Sequence, residues 1–163
     1  AEVTVESDIN QIIQESLVIV RGKLSRYQIE FTPVEVPLIG CIRSQIGQIF
    51  INLFSNAGGA MASQSDLARE AGDRFRGKLT IEARAANDGE RSGVEVLVID
   101  NGVGVPSEIQ DSLFDAFVTT KPVGMGTGLG LMLSQKIIQE HGGKMELVDG
   151  QQIGAKFRVW LPT

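Results

Sequence analysis

The sequence predicts an α/β two-layer sandwich, a mixed but largely antiparallel sheet of about five strands covered on one face by three helices. Three observations predict it. Three long segments place apolar residues at helical spacing. Short runs between them alternate apolar and polar side chains, as half-buried strands do. The polar positions of those runs hold Lys, Arg, Glu and Thr, which leaves the second sheet face to water.

In chain order, Val3 to Val5 reads as a short strand. Asp8 offers a helix N-cap, with Gln11 at capping-box spacing. Ile9, Ile12, Ile13, Leu17, Val20 and Leu24 then set a helix over 8–25. Gln28 to Phe31 reads as a strand, and Pro33 and Pro37 mark an extended connection. Ile42, Ile46, Ile49, Phe50, Leu53, Ala57 and Met61 form the stripe of a second helix over 42–61. The polar stretch 62–77 reads as a loop or a frayed helical insertion. Leu79 to Ala85 and Val94 to Asp100 are strands joined by a turn at Asn87-Asp88-Gly89. A short helix is expected over 107–113 and a third long one from Thr127 to His141, ended by Gly142-Gly143. Lys144 to Val148 and Ala155 to Leu161 close the sheet.

Composition narrows the function. The chain has 163 residues, 42% of them apolar and 21% charged, as one globular domain should. No apolar run approaches the ~18 residues that suggest a membrane span. A net charge of −5 argues against nucleic acid as the main partner. The single cysteine, Cys41, allows neither an internal disulfide nor a cysteine zinc cluster. The single histidine, His141, sits at a helix C-terminus, where a structural role is expected. The chain opens at Ala1 with neither methionine nor a signal-peptide pattern, as a piece of a longer protein would. Of 19 glycines, ten fall between Gly102 and Gly154, which points to backbone in close approach to something.

Three constellations carry chemistry. Asn52 and Asn56 lie four apart on the second helix and point the same way, with Gln45 and Gln48 continuing the row. Alone, the row reads first as a solvated stripe; its functional reading is a wall for a ligand or a hydrated metal, since amide oxygens suit Mg²⁺. Asp100 ends a row of valines and is followed by Asn101-Gly102-Val103-Gly104. Alone, that is a common turn; otherwise it is an acceptor at a pocket floor, with glycines that let a flat ligand lie against the backbone. Gly124-Met125-Gly126-Thr127-Gly128-Leu129-Gly130-Leu131 leads into the third helix, and free amides there suit an anion. Neither a Rossmann nor a P-loop reading fits, because Thr119-Thr120-Lys121-Pro122 precedes the glycines and no Gly-Lys-Ser/Thr occurs.

In this order the three resemble the GHKL, or Bergerat, ATP-binding fold, shared by gyrase, Hsp90, MutL and sensor histidine kinases. Asn52-Leu53-Phe54-Ser55-Asn56-Ala57 is similar to the N box of the histidine kinase branch. Leu113-Phe114-Asp115-Ala116-Phe117-Val118-Thr119-Thr120-Lys121 is similar to its F box. Gly126-Thr127-Gly128-Leu129-Gly130-Leu131 and His141-Gly142-Gly143 continue the match, which covers nearly the whole chain.

The resemblance implies one ATP-binding catalytic domain over 1–163, with ATP and Mg²⁺ as cofactors. Asn56 would hold Mg²⁺, with Asn52 nearby. Asp100 would accept from the adenine amino group, and Gly102 and Gly104 would lie against the base. A lid over 105–125 would cover the nucleotide. The amides around Gly126, Thr127, Gly128, Leu129 and Gly130 would meet phosphates. Lys121 would partner phosphate charge, the alternative being a solvated loop lysine. The acceptor histidine would sit on a separate phosphotransfer and dimerisation domain, with a response regulator downstream. The parent would be a homodimer, with this domain in the cytoplasm whether or not the parent is membrane-anchored. Gly59 stands where the N box often has a basic residue, Ala116 where the F box usually has proline, and 63–77 is longer than the usual turn. Asn52 stands where the ATPases of this fold place a glutamate, so water attack lacks a base. The alternatives are a catalytically silent nucleotide-sensing module and an anti-sigma-type serine kinase; the F-box match weighs against the second.

Overall fold

A computed structural model describes residues 3–115, 130–148 and 153–163. The first strand, β1 (Val5–Ser7), lies two residues later than expected. α1 (Ile9–Leu24) follows, and Asp8 caps it by accepting from the Asn10 N–H at 2.9 Å rather than closing a box with Gln11. β2 (Gln28–Phe31) falls as predicted. The proline-bounded connection after it contains a strand the periodicity did not show, β3 (Ile39–Cys41), which pairs antiparallel with β1.

α2 (Arg43–Glu70) corrects the second helix: it runs 28 residues and absorbs most of the stretch expected to be loop. Its buried face is Ile46, Ile49, Phe50, Leu53, Phe54, Ala57, Gly58 and Met61. Beyond Met61 the helix has no buried residue and projects as a polar overhang. α1 packs along α2, with Gly58 close beneath the Leu24 side chain.

β4 (Lys78–Ala85) and β5 (Gly93–Asp100) form a hairpin. A 3₁₀ turn over Ser107–Ser112 takes the place of the expected short helix. α3 (Gly130–Glu140), β6 (Lys144–Leu147) and β7 (Lys156–Pro162) complete the chain. Residues 127–129, expected to open α3, lie outside the described residues. The main sheet runs β2-β4-β5-β7-β6, with β2–β4 parallel and the other pairs antiparallel. α2 packs on β4 and β5, and α3 on α2 and β6. This is the predicted two-layer sandwich with a five-stranded main sheet; β1–β3 is an added two-stranded piece.

The core lies between the helices and one sheet face. Leu79 and Ile81 of β4, Val94, Val96 and Val98 of β5, and Phe157, Val159 and Leu161 of β7 are buried there against Phe50, Leu53 and Phe54. Each such side chain contributes about 1.5–3 kcal/mol when fully buried. Cys41 belongs to this core, and burial pushes its thiol up.

The opposite face is less wet than the alternation implied. Trp160, expected to point outward, is fully buried there. Its Nε1–H donates to the Ala86 carbonyl at 2.8 Å, the Arg91 guanidinium lies 4.8 Å from the ring centroid, and Gly93 lies flat beneath the ring where no Cβ would fit. Beside it, Glu95 is bonded by both Arg84 and Arg158. Burial works against the Glu95 charge, but the bonds from Arg158 and Arg84 outweigh it and hold the carboxyl below its ordinary range.

Candidate functional site

Asp100 is the last residue of β5 and lies opposite Leu79. Its side chain is buried, 5% exposed, and Oδ1 accepts from the Gly102 N–H at 2.8 Å. Burial pushes its carboxyl up to about 6, while backbone bonds from Gly102 and Ala155 pull the other way. No basic side chain among the described residues pairs with it. A buried carboxylate held only by backbone groups is costly for the free fold, so it calls for a ligand that donates to it.

The loop after Asp100 is pressed onto α2. The Val103 N–H donates to the Ala60 carbonyl at 3.2 Å. A Cβ on Gly102 would stand 2.5 Å from the Ala60 backbone, so only glycine fits this crossing. Gly104 meets the backbone of Gly154, whose own φ of +87° and contact with the Asp100 carbonyl also demand glycine. Gly102 through Val105, with Leu147, Gly154, Ala155 and Gln64, line a cavity of about 370 Å³. Both backbone partners of Asp100 are therefore cavity walls. A shallower cleft of about 500 Å³, at the start of α1, contains none of the candidate residues.

The amide row meets α3 on the other side. Gln48 Nε2 donates to Asn52 Oδ1 at 3.0 Å, and Asn52 Nδ2 donates to Ser134 Oγ at 3.2 Å. Gly130 lies beside the Asn52 amide, where a Cβ would stand 3.8 Å away. Asn52 is thus committed at both polar ends. The side chain of Asn56, one turn on and half-buried, makes no hydrogen bond to the described residues. It stands between the α3 junction and Ala60, the seat of the Gly102 loop.

Of the expected lid, 105–115 is described. Leu113 is buried in the core, and Phe114 packs edge-on against Phe157 of β7 at 6.4 Å. Lys121, Gly126, Thr127, Gly128, Leu129 and the remaining lid, with Ala116 and Phe117, lie outside the described residues. His141 is structural: its Nε2 accepts from the Ile42 N–H at 3.1 Å and its Nδ1 contacts the Ile137 carbonyl at 2.8 Å. No group of three or more His, Cys, Asp or Glu that could cage a metal occurs among the described residues. Sequence reasoning missed Ser134 and Gln64; both fall outside every box, and only the helix packing and the length of α2 bring them in.

The family described as histidine kinase-, DNA gyrase B-, and HSP90-like ATPase matches residues 41–163, and the chain belongs to it. Within it, the similar proteins are sensor kinases. The sensory histidine kinase/phosphatase NtrB of Rhizobium leguminosarum bv. phaseoli is 36% identical over 128 residues, 78% of this chain and 33% of that protein. The signal transduction histidine-protein kinase AtoS of Escherichia coli K12 is 31% identical over 94% of this chain and 23% of that protein. The catalytic domain of histidine kinase ThkA, 31% identical, superposes with a TM-score of 0.73 over 98% of this chain and 97% of that one. The chain therefore has the ATP-binding catalytic fold of the sensor histidine kinases, spanning a third or less of the two curated relatives.

Proposed function

We propose that this domain binds Mg-ATP and donates the γ-phosphate to a histidine on a separate dimerisation domain, within two-component signalling. The observation that carries the proposal is the buried, cation-free Asp100 carboxylate beside a cavity walled by its own backbone partners. It accepts, and the adenine amino group donates; a guanine carbonyl in that place would meet a like partner.

Asn56 is the Mg²⁺ ligand of this reading, because its amide is uncommitted while that of Asn52 is bonded at both ends. One amide oxygen fits an ion that keeps water and phosphate oxygens for its other positions. Once bound, the ion offsets phosphate charge. Gly102 and Gly104 lie along the base. The amides near Gly126, Thr127, Gly128, Leu129 and Gly130 meet the phosphates, with Lys121 adding charge. Asn52 cannot act as a base, so this position of α2 does not activate water. The γ-phosphate waits for an imidazole nitrogen, which forms a P–N bond as the bond to the ADP oxygen breaks. The receiver domain of a response regulator would take the phosphoryl group next, and the parent would be a homodimer. The domain would work in the cytoplasm; among the described residues no helix is long and apolar enough to cross a membrane.

The test is single-turnover transfer. With Mg-ATP and a separately supplied histidine domain, the label should appear on that domain. With Mg-ATP alone the chain should carry no stable phosphohistidine, because His141 is committed to Ile42 and Ile137. Nucleotide binding without transfer would make the domain a sensing module; label on His141 would overturn the assignment of roles.

A further inference from the structure

We infer that Gln64, on the overhang of α2, is a second contact to the purine base and sets part of the nucleotide affinity. The inference rests on the ATP reading above. Two cavity walls carry side chains able to hydrogen-bond, Gln64 and Gln110. Gln110 Nε2 already donates one N–H to the Val105 carbonyl at 3.0 Å. Gln64 is half-buried, and its side chain makes no hydrogen bond to the described residues. It stands one turn beyond Ala60, whose carbonyl seats the Val103 N–H, so helix geometry places it over the same loop. The position exists only because α2 continues past the end of its apolar stripe at Met61.

The chemistry is complementary to that of Asp100. A carboxylate only accepts, whereas an amide both donates and accepts. A purine presents ring nitrogens as acceptors beside its amino group. Once Asp100 accepts a hydrogen bond from the amino group, the neighbouring ring nitrogen needs a donor, and the Gln64 side-chain amide is the unbonded one in the cavity wall. Because an amide can turn over, Gln64 contributes affinity for either purine and leaves the adenine-over-guanine choice to Asp100.

The test measures Mg-ADP and Mg-GDP binding by calorimetry on the wild-type chain, Gln64→Ala and Gln64→Leu, with thermal unfolding of each free protein. Both variants should bind Mg-ADP about 3- to 10-fold more weakly, the scale of one lost hydrogen bond. The ADP-to-GDP ratio should hold, and the free proteins should unfold with the wild type. Retained affinity in Gln64→Leu with loss in Gln64→Ala would show mere packing and overturn the inference. Unchanged affinity in both would overturn it while leaving the nucleotide site standing. A wild-type chain that binds no Mg-ADP would remove the site and the inference together.

Discussion

Burial pushes the Asp100 carboxyl up to about 6 from an ordinary 3.8, and this has a thermodynamic sign. The folded state prefers the protonated form, so the stability from this group is full below about 3.8 and is lost as pH climbs through about 6. A shift of this size corresponds to roughly 2–3 kcal/mol between pH 4 and pH 7. Urea unfolding of the free domain should show that fall, and Asp100→Asn should flatten it. The same variant should bind Mg-ADP more weakly by about 1–3 kcal/mol, since its one neutral oxygen must serve the Gly102 N–H and the base amino group in place of two charged ones. A wild type without the pH slope would mean that the carboxyl is solvated in the free protein. Asp100, Asn52 and Asn56 were legible because each lies in a short motif and the motifs occur in order. Their wiring was not. Ser134 lies 82 residues from Asn52, and nothing local in either stretch announces the bond.

Packing against α2 decides the fate of several elements, and it explains what the periodicity missed. The overhang 62–70 has no apolar stripe, so a reading built on hydrophobic spacing stops at Met61, although the residues continue an existing helix without a new nucleation cost. β3 is three residues with a central glycine, and its partner β1 lies over thirty residues away. The bond from the Ile42 N–H to His141 links the start of α2 to the end of α3 across 99 residues. The clearest test at this scale is a pair of glycines. Gly102→Ala puts a methyl group 2.5 Å from the Ala60 backbone, which cannot yield as a side chain would. It should lower stability by about 1–3 kcal/mol and lift the loop that lines the cavity. Gly22→Ala, on the open face of α1 with nothing within 4 Å, should instead raise stability by about 0.5–1 kcal/mol. Urea midpoints that move together would show that α2 is not what the Gly102 loop is built upon.

Across the whole molecule, β5 joins two regions of different character. One end carries Asp100 and the cavity; near the other, Glu95 lies opposite Trp160, five residues away along the strand and thus about 17 Å off. Trp160 is the only tryptophan in the chain. Enclosed by Arg91, Gly93 and the Ala86 carbonyl, it makes a built-in optical gauge: its emission should be blue-shifted in the native state and move to the red only when the sheet opens. Saturating Mg-ADP should leave the peak where it is, so unfolding can be followed by light while binding is followed by heat in the same sample. A nucleotide-dependent shift of that peak would reveal that the far edge of the sheet moves when the cavity fills.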